Sequence, residues 1–308
     1  VTGGALVNNT GDALCVVHEE NTKNYTEPQH VVVEIAAQAA LTGGKNIQDG
    51  FGSVAGDSLT MDGKTGVWAA TAATVNNAAA NSTVVLLNDL SITAPIVINN
   101  ADVTLDGNEK TVSTADSFEN PTQTNGLLVC NNGGTVKNLV LDGKSQKVRG
   151  AYILGGRDNA NAKSVSMENV KIQNCKLQSS NMNDRGEGAY AGAGIRTNQY
   201  INLSLIGCVI QDNEAYASGG AISFDNSRGT LLLDGCTIKN NVGGFYAGGI
   251  WIASTADMEI VLSGSEITEN TLSAGATKYD ACCKNGQDIF MNANSYGGGL
   301  CTISGSNS

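Results

Sequence analysis

Three stretches of this 308-residue chain align on one another without a gap: residues 203–213, 231–241 and 260–270, offset by 28 and then 29 residues. Each follows a second apolar segment opened by glycine and marked by Ile195, Ile222 and Ile250, at offsets of 27 and 28. A recurrence of this length belongs to architectures built by stacking. Apolar residues alternate within each segment, as in Leu231/Leu233 and Ile250/Ile252, which is the period of a strand with one face turned inward. A single unit cannot bury its inward set alone. Stacking successive units in parallel buries a continuous column of Leu, Ile and Val. The expected fold is all-β: a parallel β-helix, right-handed by analogy with large β-helices of variable turn length.

The pattern continues with more decay on both sides. Val165, Met167, Val170 and Ile172 lie 38 residues before Leu203, Leu205, Cys208 and Ile210. Val136, Leu139 and Leu141 lie 31 before Met167, Val170 and Ile172, and Val103 and Leu105 lie 36 before Leu139 and Leu141. Downstream, residues 288–291 and 300–305 read as a further turn, after an insertion that carries Cys282 and Cys283. The repeats therefore span 82–308. Residues 67–81 are Ala-rich, with Trp68, Ala72, Val75 and Ala79 at helical spacing. A stack of strands must cover its open end, so this segment is expected to be an N-terminal capping helix. Residues 1–66 read as a β-rich segment packed on the stack or forming part of it.

Composition excludes several classes. The chain has 38 Gly, 34 Asn, 15% charged residues and a net charge of −11. Gly and Asn are poor helix interiors, and no apolar run approaches the ~20 residues of a membrane helix, so no membrane span is expected. Scattered Lys and Arg in an acidic chain argue against a nucleic-acid partner. Lys64 and Lys144 sit in Gly-Lys-Thr/Ser tails that lack the upstream Gly of a phosphate loop. The two histidines, His18 and His30, precede the repeats, so no histidine base or zinc cluster is expected on the stack. No metal or cofactor is implied. Asn-x-Ser/Thr occurs at Asn8, Asn24, Asn81 and Asn202, as chance allows in so Asn-rich a chain.

Asn213, Asn241 and Asn270 hold one position in three successive repeats. Asn tolerates a left-handed turn, and stacked amides bond along a ladder, so these three are expected to be structural. Cys175 takes that position one repeat upstream. Cys208 and Cys236 share an inward column at strand spacing, which permits either a disulfide or a buried thiol ladder. Cys282 and Cys283 form a vicinal pair with candidate partners elsewhere, such as Cys301.

Outward positions are where function would lie. The alignment places Arg196, Ser223 and Trp251 in one outward column, with Asn198, Asp225 and Ala253 in the next. Tyr190, Tyr216 and Tyr246 stand just before these strands, and Asp184 and Glu187 lie in the longest insertion. Exposed aromatics beside Arg and Asp form a candidate ligand patch. Asp184, Glu187, Arg196 and Asp225 could also furnish the acid and base of a polysaccharide lyase or glycoside hydrolase.

The repeat Ile210-Gln-Asp-Asn213 with Gly219-Gly-Ala-Ile222, and Ile238-Lys-Asn-Asn241 with Gly248-Gly-Ile250, resembles the repeats of polymorphic outer-membrane proteins and related bacterial adhesin-like β-helix proteins. Ile stands at the first position of the motif where that family has Phe, and the C-terminal membrane barrel usual there is not expected within these 308 residues. The resemblance implies a secreted or cell-surface module that binds a host or microbial glycan or protein without catalysis.

Overall fold

The computed structural model describes Ala5–Leu6, Val32–Ile35, Ala40–Leu41, and residues 47, 49–53, 58–61, 63–118, 126–179, 181, 188–253, 256–273, 287–291 and 301–306. The protein is all-β. Twenty strands join one sheet, with a two-stranded and a three-stranded sheet beside it. Among the described strand pairings, that of Ser58–Met61 with Lys64–Ala69 is antiparallel and every other is parallel.

The parallel pairing follows the repeat. One file of strands runs through Ile96–Ile98, Leu128–Cys130, Ala151–Leu154, Ile195–Ile206, Ile222–Asp234, Ile250–Ile252 and Ile289–Met291. A second runs from Thr83–Leu86 through Thr104–Thr114, Gly134–Asp142 and Lys163–Gln173 to Asp257–Ser263 and Cys301–Ser306. A third collects Val209–Gln211, Thr237–Lys239 and Glu266–Thr268. The aligned residues are register partners: Leu203 faces Leu231, which faces Ile260. Their inward side chains form one core, in which Leu203, Leu231, Ile260 and Ile222 are fully buried. Each such side chain contributes about 1.5–3 kcal/mol by leaving water.

Corners within and between strands are made by left-handed residues at fixed positions. Asn138, Asn169, Gly207, Gly235 and Gly264 form one set, and Asn174, Asp212, Asn240 and Glu269 another, with φ from +50° to +61°. The left-handed backbone expected at Asn213, Asn241 and Asn270 thus belongs to the residue before each. The three Asn side chains instead turn inward and are buried.

Two readings of the N-terminal part are corrected. Leu105 faces Val136 and Val112 faces Leu141, so the 36-residue offset of Val103 and Leu105 does not hold. Gly107, Asn108 and Glu109 together face the single residue Asn138. The bulge takes up two residues, so the offset is 31 before it and 29 after it. The capping helix over 67–81 is likewise absent. Residues 67–69 belong to the Lys64–Ala69 strand, in which Val67 pairs with Val84. The helix is one short turn, Ala72–Asn76. Trp68 decides this: it is buried with Ile47, Phe51, Leu59 and Val85, away from the main core, and its Nε1 donates to the Leu59 carbonyl at 2.9 Å. Val75 of the helix is buried in the main core, and Ala72 packs against it half-buried.

Candidate functional site

Register places one outward column along the first file: Val97, Val129, Tyr152, Arg196, Ser223, Trp251 and Phe290 are successive partners. Arg196, Ser223 and Trp251 therefore share a column. They do not share solvent. Arg196 is 2% exposed, Ser223 is fully buried and Trp251 is half-buried. The reason is a roof formed by the chain itself. The segments that lead into each strand fold back over this face. They are tied to one another by Ala217 N–H donating to Tyr190 O at 3.0 Å and Phe245 N–H to Ala217 O at 2.9 Å. Gly188 lies so close that a Cβ there would meet Arg196 and Asp225.

Arg149 anchors the roof. Its guanidinium, fully buried, donates to the carbonyls of Gly192 at 2.9 Å, Ala189 at 2.7 Å and Ala191 at 3.1 Å. Burial pulls its pKa down, and the neighbouring Arg196 adds to this. Arg196 donates to Asp225 Oδ2 at 2.6 Å, an ion pair with the Arg side chain 3% and the Asp side chain 27% exposed. Tyr152 packs beside both cations; burial raises its phenol pKa, and the guanidiniums oppose that rise. Among the described residues, the buried atoms Ser223 Oγ, Asn198 Oδ1 and Trp251 Nε1 have no hydrogen-bond partner.

Aromatic rings occupy the outer side of the roof and its flank. Tyr190 meets Tyr216 edge-on, with centroids 6.1 Å apart. Lys147 Nζ stands 5.9 Å over the Tyr190 ring. Phe245 meets Tyr246 at 4.2 Å. Tyr246 stacks on Phe290 at 4.6 Å and on Trp251 at 6.5 Å, with interplanar angles of 12° and 16°. All six rings are half-buried. Beside them, Lys176 pairs with Glu214 at 2.7 Å. Rings from successive repeats thus cluster on one side of the stack, packed on one another by faces and edges and bordered by polar groups.

The structure brings Arg196 to Asp225, Tyr190 to Tyr216 and Tyr246 to Trp251. Asp184, Glu187, Cys282 and Cys283 lie outside the described residues. Asn213, Asn241 and Asn270 stand apart from this face as a continuous ladder. Asn213 Nδ2 donates to Asn241 Oδ1 at 3.0 Å, and Asn241 Nδ2 to Asn270 Oδ1 at 2.9 Å. The ladder ends on Asp288, whose Oδ1 accepts from Asn270 Nδ2 at 2.8 Å, and begins at the Cys175 N–H, which donates to Asn213 Oδ1. Cys208 and Cys236 are buried free thiols, not a disulfide. Each donates to a backbone carbonyl, of Met167 and Leu205 respectively, so hydrogen bonding satisfies them without a covalent link.

Sequence reasoning missed Arg149, Tyr152, Lys147, Phe245 and Phe290. Tyr152 stands two residues after Gly150 as Arg196 stands two after Gly194, but a 44-residue gap hides the match. Phe290 follows from the alignment of residues 288–291, two places after Asp288 as Trp251 is two after Gly249. Arg149 carries no local signal, because its three acceptors are some 40 residues away. Among the described residues no cluster of three or more His, Cys, Asp or Glu could hold a metal, and no helix is long and apolar enough to cross a membrane. Comparison with known protein families, curated proteins and solved structures gives no match to this chain.

Proposed function

We propose that the chain is a parallel β-helix of a secreted or cell-surface protein, and that it binds an extended ligand, a glycan or a protein segment, without catalysis. The observation that carries this reading is the row of rings from Tyr190 and Tyr216 to Tyr246 and Phe290, contributed by successive repeats to one side of the stack. Half-buried rings supplied by successive repeats offer a continuous apolar surface to a ligand that extends along the axis. The adhesin-like repeat motif supports the same reading. A lyase or hydrolase needs an acid and a base free to reach substrate. Asp225 and Arg196 are instead engaged with each other at 2.6 Å, with Arg196 under the roof.

A glycan array and a surface-protein panel, run beside a polysaccharide-degradation assay, test the proposal. Binding that falls at least tenfold in both Tyr216→Ala and Trp251→Ala, with the fold intact, is expected. Binding unchanged in both removes the ring row from function. Release of reducing or unsaturated sugar replaces the binding reading with an enzymatic one.

A further inference from the structure

The first strand of the main stack carries a group that neither the core nor the ring row uses. Lys64 Nζ lies 2.8 Å from Asn108 Oδ1 and 3.3 Å from Asp106 Oδ1. Asn108 sits in the three-residue bulge at φ +51°. Its Nδ2 donates to the Leu86 carbonyl at 3.2 Å, which turns the carbonyl edge of the amide toward the amine. The Asp106 side chain is 5% exposed. It is held by the Asn108 N–H at 2.9 Å and the Asn138 Nδ2 at 3.2 Å, with Lys137 Nζ 3.8 Å from its second oxygen. An amine, an amide and a carboxyl are thus fixed in mutual contact by three strands, with the amine held on the amide oxygen, one bond from the carbonyl carbon.

We propose that Lys64 and Asn108 join in an intramolecular isopeptide bond, with Asp106 as the proton carrier. Asp106 takes a proton from the Lys64 ammonium, and the freed Nζ lone pair attacks Asn108 Cγ. The Nζ–Cγ bond forms and the Cγ–Nδ2 bond breaks. Nζ gives up two protons in all; both pass through Asp106 to the departing nitrogen, which leaves as ammonium while Asp106 returns to the carboxylate. No oxidant or cofactor enters. The bond ties Lys64–Ala69 to Thr104–Thr114 across the intervening Thr83–Leu86, a covalent clamp at this end of the stack. Burial pushes the Asp106 carboxyl up, but the Asn108 N–H, the Asn138 amide and Lys64 outweigh it and hold the group below its ordinary range. The protonated carrier is therefore a minor form, which makes the reaction slow.

Intact-mass spectrometry of the full folded chain, kept at neutral pH and sampled over days, reads the bond directly. A growing fraction lighter by about 17 Da, one ammonia lost to the attacking amine, is expected, with a branched peptide joining Lys64 to Asn108 after digestion. Lys64→Arg, which keeps a cation beside Asp106, and Asp106→Ala both retain full mass while circular dichroism reports a folded chain. If Asp106→Ala does not fold, Asp106→Asn, which keeps an acceptor for the Asn108 N–H, takes its place. Full mass throughout, or the same loss in Lys64→Arg, overturns the proposal. So does a loss of about 18 Da with the branch at Asp106, which would mark condensation with the carboxyl instead.

Discussion

Asn240 and Asn241 are adjacent, chemically identical and expected to respond very unequally to substitution. Asn241 is fully buried. Its Oδ1 accepts from the Asn213 N–H at 3.1 Å and from Asn213 Nδ2 at 3.0 Å. Its Nδ2 donates to the carbonyls of Ile210 and Lys239 at 2.9 Å, and to Asn270 Oδ1 at the same distance. In Asn241→Ala the buried Asn213 N–H loses its acceptor, at about 1–3 kcal/mol, and the other severed bonds add about 0.5–1 kcal/mol each. The total is about 3–7 kcal/mol, a large share of the ~5–15 kcal/mol that holds a domain folded. Asn240 is exposed at φ +55°, so Asn240→Gly removes a side chain from a backbone that suits glycine and should change stability by no more than ~0.5 kcal/mol. Urea unfolding followed by circular dichroism, with equal slopes for the two variants, measures both. A cost below ~1 kcal/mol for Asn241→Ala, or equal costs for the pair, would refute the ladder as a source of stability.

Four further outcomes are expected. Ser223→Ala deletes a buried hydroxyl with no partner among the described residues and should be neutral or stabilising by up to ~1 kcal/mol in the same urea assay. Glu269→Gly, at an exposed position with φ +57°, should stabilise by about 1 kcal/mol by relieving a left-handed non-glycine residue; a loss would contradict the assigned corner. Asp106 and Asp142 are raised by burial but lowered further by hydrogen bonds and nearby lysines, so both sit below the ordinary 3.8. Groups depressed on folding stabilise fully above the unfolded pKa and lose that contribution as pH falls through the folded one. The urea midpoint should therefore hold above about pH 5 and drop below about pH 4, with a shallower drop in Asp142→Asn. Cys130 is fully buried, and burial pushes its thiol up to about 12. Its alkylation by a maleimide should appear only at urea concentrations that unfold the chain, and rapid labelling of the native protein would show that this part of the core is open.

The sequence by itself determined which residues point inward and which units face one another. Alternation of apolar residues sets the side of each strand that leaves water, and equal spacing sets the register, as the pairing of Leu203, Leu231 and Ile260 demonstrates. Where spacing was uneven, the reading drifted. Val103 and Leu105 read as partners of Leu139 and Leu141 although Leu105 faces Val136, because apolar alternation recurs on both sides of the Gly107–Glu109 bulge, and Trp68 read as helical although it belongs to a strand, because its partners Ile47 and Leu59 lie outside the repeat. Only the tertiary structure decided what covers the outward column. Period-two alternation says that Arg196, Ser223 and Trp251 point away from the core, but it carries no information on whether another part of the chain returns over them. That roof depends on contacts between residues some 40 positions apart, Arg149 with Ala189, Ala191 and Gly192. The meeting of Lys64 with Asn108 likewise arises from two strands brought together across a third.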